Sequence, residues 1–355
     1  MTRHRGRPRR SAISLLPRLA IAAVAVLATS LTPAAASPSR ADPPLISTPP
    51  APTGRILPEY VALGDSYSAG VLVRPWDDSD GCGRSYRNYP SQVAQALGLQ
   101  LRDVTCSGAQ VVQGALEVQP GSSLPGPASS PPAGSWPDRP AQIDALTPAT
   151  GYVTVGIGGN SIGFAKIITT CLELGLLPLA STPCTNHYTR GSGAAWLQDS
   201  FDRLHTDFDT LLQKIRASSP RARIAVVGYP AIVHDDSGCT WQNWRQFGSV
   251  RTADLPWLDT VERRLNELLQ QRAAAHGLTY VDTYRPSLSH GVCAAGSDRW
   301  MYGVKDDLTG EGDQTAPPGD FCRLLPGNGG ACTFLHPNAA GLDNQARHVL
   351  RAFTG

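Results

Sequence analysis

The stretch EYVALGDSYSAG, residues 59 to 70, opens with Tyr60, Val61, Ala62 and Leu63 in a short apolar run that does not alternate cleanly. That is the pattern of a strand covered on both faces. The run stops at Gly64, and Asp65 and Ser66 follow at once. Ser66 is therefore placed in the turn beyond the carboxyl end of a strand, where open α/β sheets bind ligands. A helix beginning there favours developing negative charge at its N-terminus. Ser66 also suits the plainer role of capping such a helix.

Four further segments carry the same strand pattern: 101–106, 152–158, 222–230 and 278–284. Helical periodicity lies between them. Residues 89–98 and 255–277 form two such segments, the second ending on the C-capping residue Gly277. In 194–217, the longest, Trp196, Phe201, Leu204, Phe208, Leu211, Leu212 and Ile215 make one stripe. Residues 337–353 form a last helix. Strand and helix in alternation predict a five-stranded parallel sheet with right-handed crossovers, in a three-layer α/β/α domain. Three stretches read as irregular excursions from it: 120–140, 171–193 and 285–335. Long loops in compact domains are commonly functional.

The 355-residue chain begins with six arginines and no acid in residues 1–36, around the apolar run LAIAAVAVLA and ahead of Ala34 and Ala36. This predicts a cleaved secretory signal peptide over 1–36, since the run is short for a membrane span. Arg9-Arg10 fits the twin-arginine route only at the two arginines. Residues 37–58, rich in proline and small polar residues, predict a disordered leader. One large domain is expected from residue 59 to 355. The whole chain has a formal charge of +2, so without residues 1–36 it falls to about −4. No basic surface for nucleic acid is expected, nor a stable membrane anchor, and the domain reads as a monomer.

Eight cysteines (Cys82, Cys106, Cys171, Cys184, Cys239, Cys293, Cys322 and Cys332) predict four disulfides in a secreted chain. Pairing neighbours along the chain is the simplest of the possible connectivities. No C-x-x-C pair or paired histidines point to zinc, so no metal or cofactor is expected.

Three more motifs carry chemistry. TCSGAQ, 105–110, follows the second strand, and Gly108 there permits close backbone approach, as a simple turn glycine also does. In VGIGGNSIGF, 155–164, the spacing fails as a dinucleotide loop because Ser161 stands at the third glycine position. Asn160 at that strand tip is either a neutral donor for an oxyanion or a helix N-cap. In CTFLHPNAAG, 332–341, His336 precedes the last helix. With the flavodoxin-like strand order 2-1-3-4-5, Ser66, Gly108 and Asn160 share one sheet edge. A nucleophile beside two donors, with His336 as base, is what acyl transfer requires.

The blocks GDSYSAG, SGA, GGN and HPNAAG, in this order, resemble the SGNH (GDSL) hydrolases over residues 59 to 355, most closely their secreted, disulfide-bearing esterase and lipase branch. The resemblance implies Ser66 as nucleophile and His336 as base. It also implies an oxyanion hole of the Ser66 and Gly108 N–H groups with the Asn160 amide. The substrate would be a lipid or other acyl ester. The G-x-S-x-G elbow is absent, because Ser68 stands where its second glycine would be. Two departures matter. Ser161 follows Asn160 where an aspartate is usual, and Thr333 stands where an aspartate usually precedes the histidine by three residues. Some members of the branch resemble this arrangement, with a main-chain carbonyl, here that of Thr333, orienting the base. Asp313 or Asp320 folding back is the alternative. An acyltransferase acting on a lipid or sugar alcohol would look alike at the site. A catalytically silent lipid- or carbohydrate-binding module would share the fold. His290, His205 and His276 read as loop, surface or edge residues. Trp76, Trp136, Trp241, Trp244 and Trp300 read as packing for the loops ahead of an acyl pocket.

Overall fold

The structure, a computed structural model, describes residues 57–77, 79–121, 135–178, 181–234, 238–306 and 331–355. The signal peptide, most of the leader, Asp313, Asp320, Cys322 and the Cys332 side chain lie outside the described residues.

Five parallel strands form the sheet: β1 (Glu59–Gly64), β2 (Gln100–Asp103), β3 (Tyr152–Gly156), β4 (Arg223–Val227) and β5 (Thr279–Val281), in the order β2-β1-β3-β4-β5. The expected order and strand direction are both present. Register pairs Gly64 of β1 with Gly156 of β3, so these two central strands end level. Their side chains alternate between two apolar layers. Tyr60 and Ala62 face the layer of α2 (Tyr89–Leu97) and the C-terminal helix α8 (Ala339–Thr354). Val61, Leu63, Val153 and Val155 face the layer of α3 (Phe164–Leu176), α5 (Gly191–Ser218) and α7 (Leu255–Ala275). The edge strands β2 and β5 are only half covered and correspondingly short.

The helices follow local chemistry. Asn88 caps α2 by accepting from the Ser91 N–H, and Gly98 ends it in the left-handed conformation, φ +62°. Asn338 caps α8 in the same way through the Gly341 N–H. The stripe on α5 is buried from Phe201 to Ile215 as expected. In α7 the C-cap is His276, and Gly277 follows it with φ +62°.

One expectation is corrected. Residues 171–193 are not an irregular loop, because α3 extends to Leu176, α4 spans Pro183–Thr189 and α5 starts at Gly191. The apolar stripe of α3 begins upstream, with Ile167 and Ile168, and continues through Cys171, Leu172 and Gly175 on one buried face. Polar content and cysteines hid that period. Pro183 opens α4, where a missing N–H costs nothing. The described part of 285–335 is largely irregular, with two 3₁₀ turns and a two-residue antiparallel pair, Lys305–Asp306 (β6) with Ala331–Cys332 (β7).

Among the described residues three disulfides join chain neighbours: Cys82–Cys106, Cys171–Cys184 and Cys239–Cys293. The first ties the segment after α1 (Ser66–Ala69) to the loop following β2. The second ties α3 to α4.

Candidate active site

The end of β1 is built for a sharp turn. The Asp65 N–H donates to the Gly156 carbonyl (3.1 Å), locking β1 to β3 at their tips. Asp65 then caps the one-turn helix α1, its Oδ1 accepting from the Tyr67 N–H (3.0 Å), and Gly70 terminates α1 at φ +69°. Asp65, not Ser66, is the cap, so the Ser66 hydroxyl is left for other work. Ser68 is buried behind it and donates to the Gly156 carbonyl (3.0 Å). A Cβ at Gly156 would lie 2.5 Å from the Ser68 Oγ, and one at Gly64 2.4 Å from the Ser68 Cβ. Both strand-end glycines are therefore required for α1 to seat against the sheet.

The loop before α8 brings His336 to Ser66 across 270 residues of sequence, with Nε2 2.8 Å from the Ser66 Oγ. The other ring nitrogen, Nδ1, is 2.8 Å from the Thr333 carbonyl oxygen. A carbonyl only accepts, so Nδ1 carries the proton, and the bare Nε2 faces the serine O–H. No described carboxylate reaches the imidazole. Burial pushes the His336 pKa down from 6.5 to about 4, against the opposing hydrogen bond to Thr333.

That loop is fastened from several sides. Thr333 is fully buried, its hydroxyl donating to the Gly303 carbonyl (2.5 Å) and its N–H to the Val304 carbonyl (3.0 Å). The Tyr67 hydroxyl donates to the Leu335 carbonyl (2.6 Å), and the Tyr302 N–H to the His336 carbonyl (2.8 Å). Phe334 and Leu335 are held at φ +43° and +63°. Such left-handed conformations cost non-glycine residues energy and persist only where the surroundings enforce them. Here they fold the chain so that Thr333 presents its carbonyl back to the ring three residues later.

Asn160 sits at the tip of β3. It is not a helix cap, since the cap of α3 is Gly163. One Nδ2 hydrogen is used on the Ala109 carbonyl (3.0 Å), which leaves a second for another acceptor. Ser161, in the place of the usual aspartate, accepts from the Val111 N–H (2.9 Å). The 158–161 loop is thus stitched to the loop that carries Gly108. Gly108 is exposed with φ +80°. Among the described residues the N–H groups of Ser66 and Gly108 meet no acceptor, whereas their neighbours Ser107 and Ala109 donate to Cys82 and Cys106.

The buried Asp65 carboxylate also accepts from the Tyr229 hydroxyl (2.5 Å), which itself accepts from the Gly159 N–H (2.8 Å). Tyr229, on the segment after β4, so bridges the Ser66 turn and the Asn160 loop. Desolvation raises the Asp65 pKa from 3.8 to about 7. Neither Asp65 nor Tyr229 was singled out in the sequence. A tyrosine just beyond a strand's carboxyl end was the available signal.

Beside Ser66, His336 and Asn160 opens a pocket walled by Ile162, Phe164, Ile168, Ile232, Leu265 and Phe334, with Glu262 among them. His290, Trp76, Trp136, Trp241 and Trp300 do not line it, and the Trp244 side chain lies outside the described residues. His290 stacks on Trp300 (centroids 3.4 Å apart), and Trp136 is buried in the loop packing. His276 pairs with Asp209 at 2.9 Å. Among the described residues no cluster of His, Cys, Asp and Glu could hold a metal ion, and no helix is long and apolar enough to cross a membrane.

A parallel α/β sheet with a Ser–His pair at its carboxyl edge defines a class, the flavodoxin-like hydrolase fold. Residues 62–343 match the profile of the GDSL-like lipase/acylhydrolase family, and the chain belongs to that family. Lipase 2 of Streptomyces coelicolor is 31% identical over 93% of this chain and 94% of its own length. An esterase of Streptomyces scabiei is 29% identical over 81% of this chain and 84% of its own. Among solved structures, the phospholipase A1 of Streptomyces albidoflavus superposes with a TM-score of 0.58 at 24% identity, covering 84% of this chain and 98% of that one. The extracellular lipase of Streptomyces rimosus gives 0.55 at 24% identity, covering 83% and 98%.

Proposed function

We propose that the protein is a secreted serine carboxylic-ester hydrolase, an esterase or lipase, that works through a Ser66–His336 dyad. The observation that carries this reading is the unbroken relay from the Ser66 hydroxyl through His336 to the Thr333 carbonyl, at the mouth of an apolar pocket. His336 Nε2 takes the Ser66 proton as Oγ attacks the ester carbonyl. The oxyanion is met by the N–H groups of Ser66 and Gly108 and the spare Asn160 amide hydrogen. His336 then gives the proton to the leaving alcohol, and water, deprotonated by the same ring, releases the acid.

The Thr333 carbonyl fixes the tautomer as a carboxylate would, but it brings no full charge to hold the imidazolium. The oxyanion forming beside the ring supplies that charge in the transition state, so this site leans on its oxyanion hole more than a full triad does. The relatives named lipase and esterase support ester hydrolysis. The apolar wall supports an acyl group as the buried part of the substrate. Secretion after removal of residues 1–36 is supported by the arginine-led apolar run and by the three disulfides.

Hydrolysis of 4-nitrophenyl butyrate by the purified wild type and by Ser66→Ala tests the proposal. Loss of at least about 10³ in kcat is expected. Full activity in the variant would remove Ser66 from the mechanism.

A further inference from the structure

Glu262 is out of place in the acyl pocket. It lies on α7, is 4% exposed, and shares the pocket with six apolar side chains and with Ser66. Its Oε2 accepts from the Ile232 N–H (3.0 Å), which organises the segment leaving β4. Its Oε1 is buried and has no hydrogen-bond partner among the described residues. Among the described residues no cation forms an ion pair with it. The adjacent Arg263 pairs with Asp259, one turn back, at 3.0 Å. Asp259 itself acts on Glu262 only as a like charge. Desolvation therefore holds Glu262 well above the ordinary carboxylate range, which favours its protonated form. A neutral carboxyl group has one O–H to donate.

One oxygen of this residue has a structural task and the other has none. Packing alone would be served as well by an apolar residue of the same length, because a buried polar atom without a partner is costly. That atom belongs to a residue lining the pocket, so a group entering beside Glu262 is the partner available to it.

We propose that Glu262 is a specificity-determining residue. In this reading its free carboxyl oxygen hydrogen-bonds an oxygen function, a carbonyl or hydroxyl, carried part-way along the acyl group of the substrate. The favoured esters are then those of oxygenated acids rather than of plain alkanoic acids. The discrimination has a direction. A site built to hydrogen-bond a substrate oxygen rejects the analogue lacking it, since that analogue leaves the buried donor unpaired. The inference rests on the ester-hydrolase reading and specifies its substrate class.

The test compares kcat/KM for 4-nitrophenyl octanoate with that for analogues bearing a keto oxygen at successive carbons of the chain. The measurement uses the wild type, E262M and E262Q. At least one keto position is expected to be favoured about tenfold by the wild type. E262M, of similar length and apolar, erases that preference. E262Q, which keeps a neutral donor, retains most of it. Taking each analogue's ratio between variants cancels its intrinsic reactivity. The wild-type ratios, corrected by hydroxide-catalysed hydrolysis of the same esters, read the subsite even if a variant does not fold. A wild type that hydrolyses octanoate and shows no keto preference at any position overturns the subsite alone, as does a preference unchanged in E262M. A wild type that hydrolyses none of the esters overturns the hydrolase reading beneath it.

Discussion

His336 has two ring nitrogens, and each meets a partner of different chemistry: a hydroxyl at Nε2 and a main-chain carbonyl at Nδ1, both at 2.8 Å. In a Ser-His-Asp triad the acid raises the basicity of the ring. Here burial acts in the other direction and lowers its pKa to about 4. In the proposed mechanism the neutral ring is the active form, and it persists as the pH falls until protonation near that value. The acid limb of kcat/KM should therefore lie near pH 4, well below the ordinary histidine value of about 6.5. An acid limb near 6.5 would mean that burial does not depress the ring. Thr333 acts through its backbone. In Thr333→Ala the Gly303 carbonyl keeps the Leu335 N–H as a donor (2.9 Å). That variant should retain kcat within about tenfold, while His336→Ala loses at least about 10³. The histidine was legible in the sequence as HPNAAG. Its orienter, the Thr333 carbonyl, followed from the family resemblance and the missing aspartate and from no residue type there, because a carbonyl's direction depends on φ at Phe334 and Leu335.

At the level of elements, the Ser66 turn depends on two strands ending level and on both ends being glycine. Gly156→Ala places a methyl group 2.5 Å from the Ser68 hydroxyl and should lower stability by about 1–3 kcal/mol. Ser68→Ala in the same chain removes the hydroxyl and should restore part of that loss. Urea unfolding of the two variants measures it, and a double variant no more stable than Gly156→Ala would show that the clash lies elsewhere. Strand order and most helices were readable because strands buried on both faces become continuous apolar runs. Helix α3 was missed because its stripe starts before the cysteine-bearing stretch that drew attention. On α7, Asp259, Glu262 and Asn266 sit on the buried face. Charged residues at helical spacing read by default as solvent-facing. Only the tertiary structure shows that Asn266 holds the Tyr229 backbone through its N–H (2.8 Å) and carbonyl (3.1 Å), and that Glu262 enters the pocket.

Over the whole molecule, the sheet supplies a rigid edge, and disulfides fasten the loops that complete the site. Cys82–Cys106 closes the segment running from α1 to the loop of Gly108, and Ser107 adds two hydrogen bonds to the Cys82 carbonyl, from its N–H (3.1 Å) and its hydroxyl (2.7 Å). Replacing both cysteines by alanine should cost about 2–4 kcal/mol. It should also lower kcat more than it raises KM, because the proposed oxyanion donor at Gly108 loosens while the apolar pocket wall stands apart from it. Thermal unfolding and steady-state kinetics of the double variant check both halves, and an unchanged kcat would separate this disulfide from catalysis. The network from Asp65 through Tyr229 to Gly159 spans 164 residues of sequence at its first link. Contacts of that range follow from the fold and are not written in any local pattern. The central claim is that Ser66 is the one activated nucleophile. Labelling the purified protein with a fluorophosphonate and mapping the adduct by peptide mass spectrometry tests it most directly. One adduct per chain is expected, on the peptide containing Ser66, with activity lost in proportion to labelling. Labelling on another residue, or full esterase activity in completely labelled protein, would contradict it.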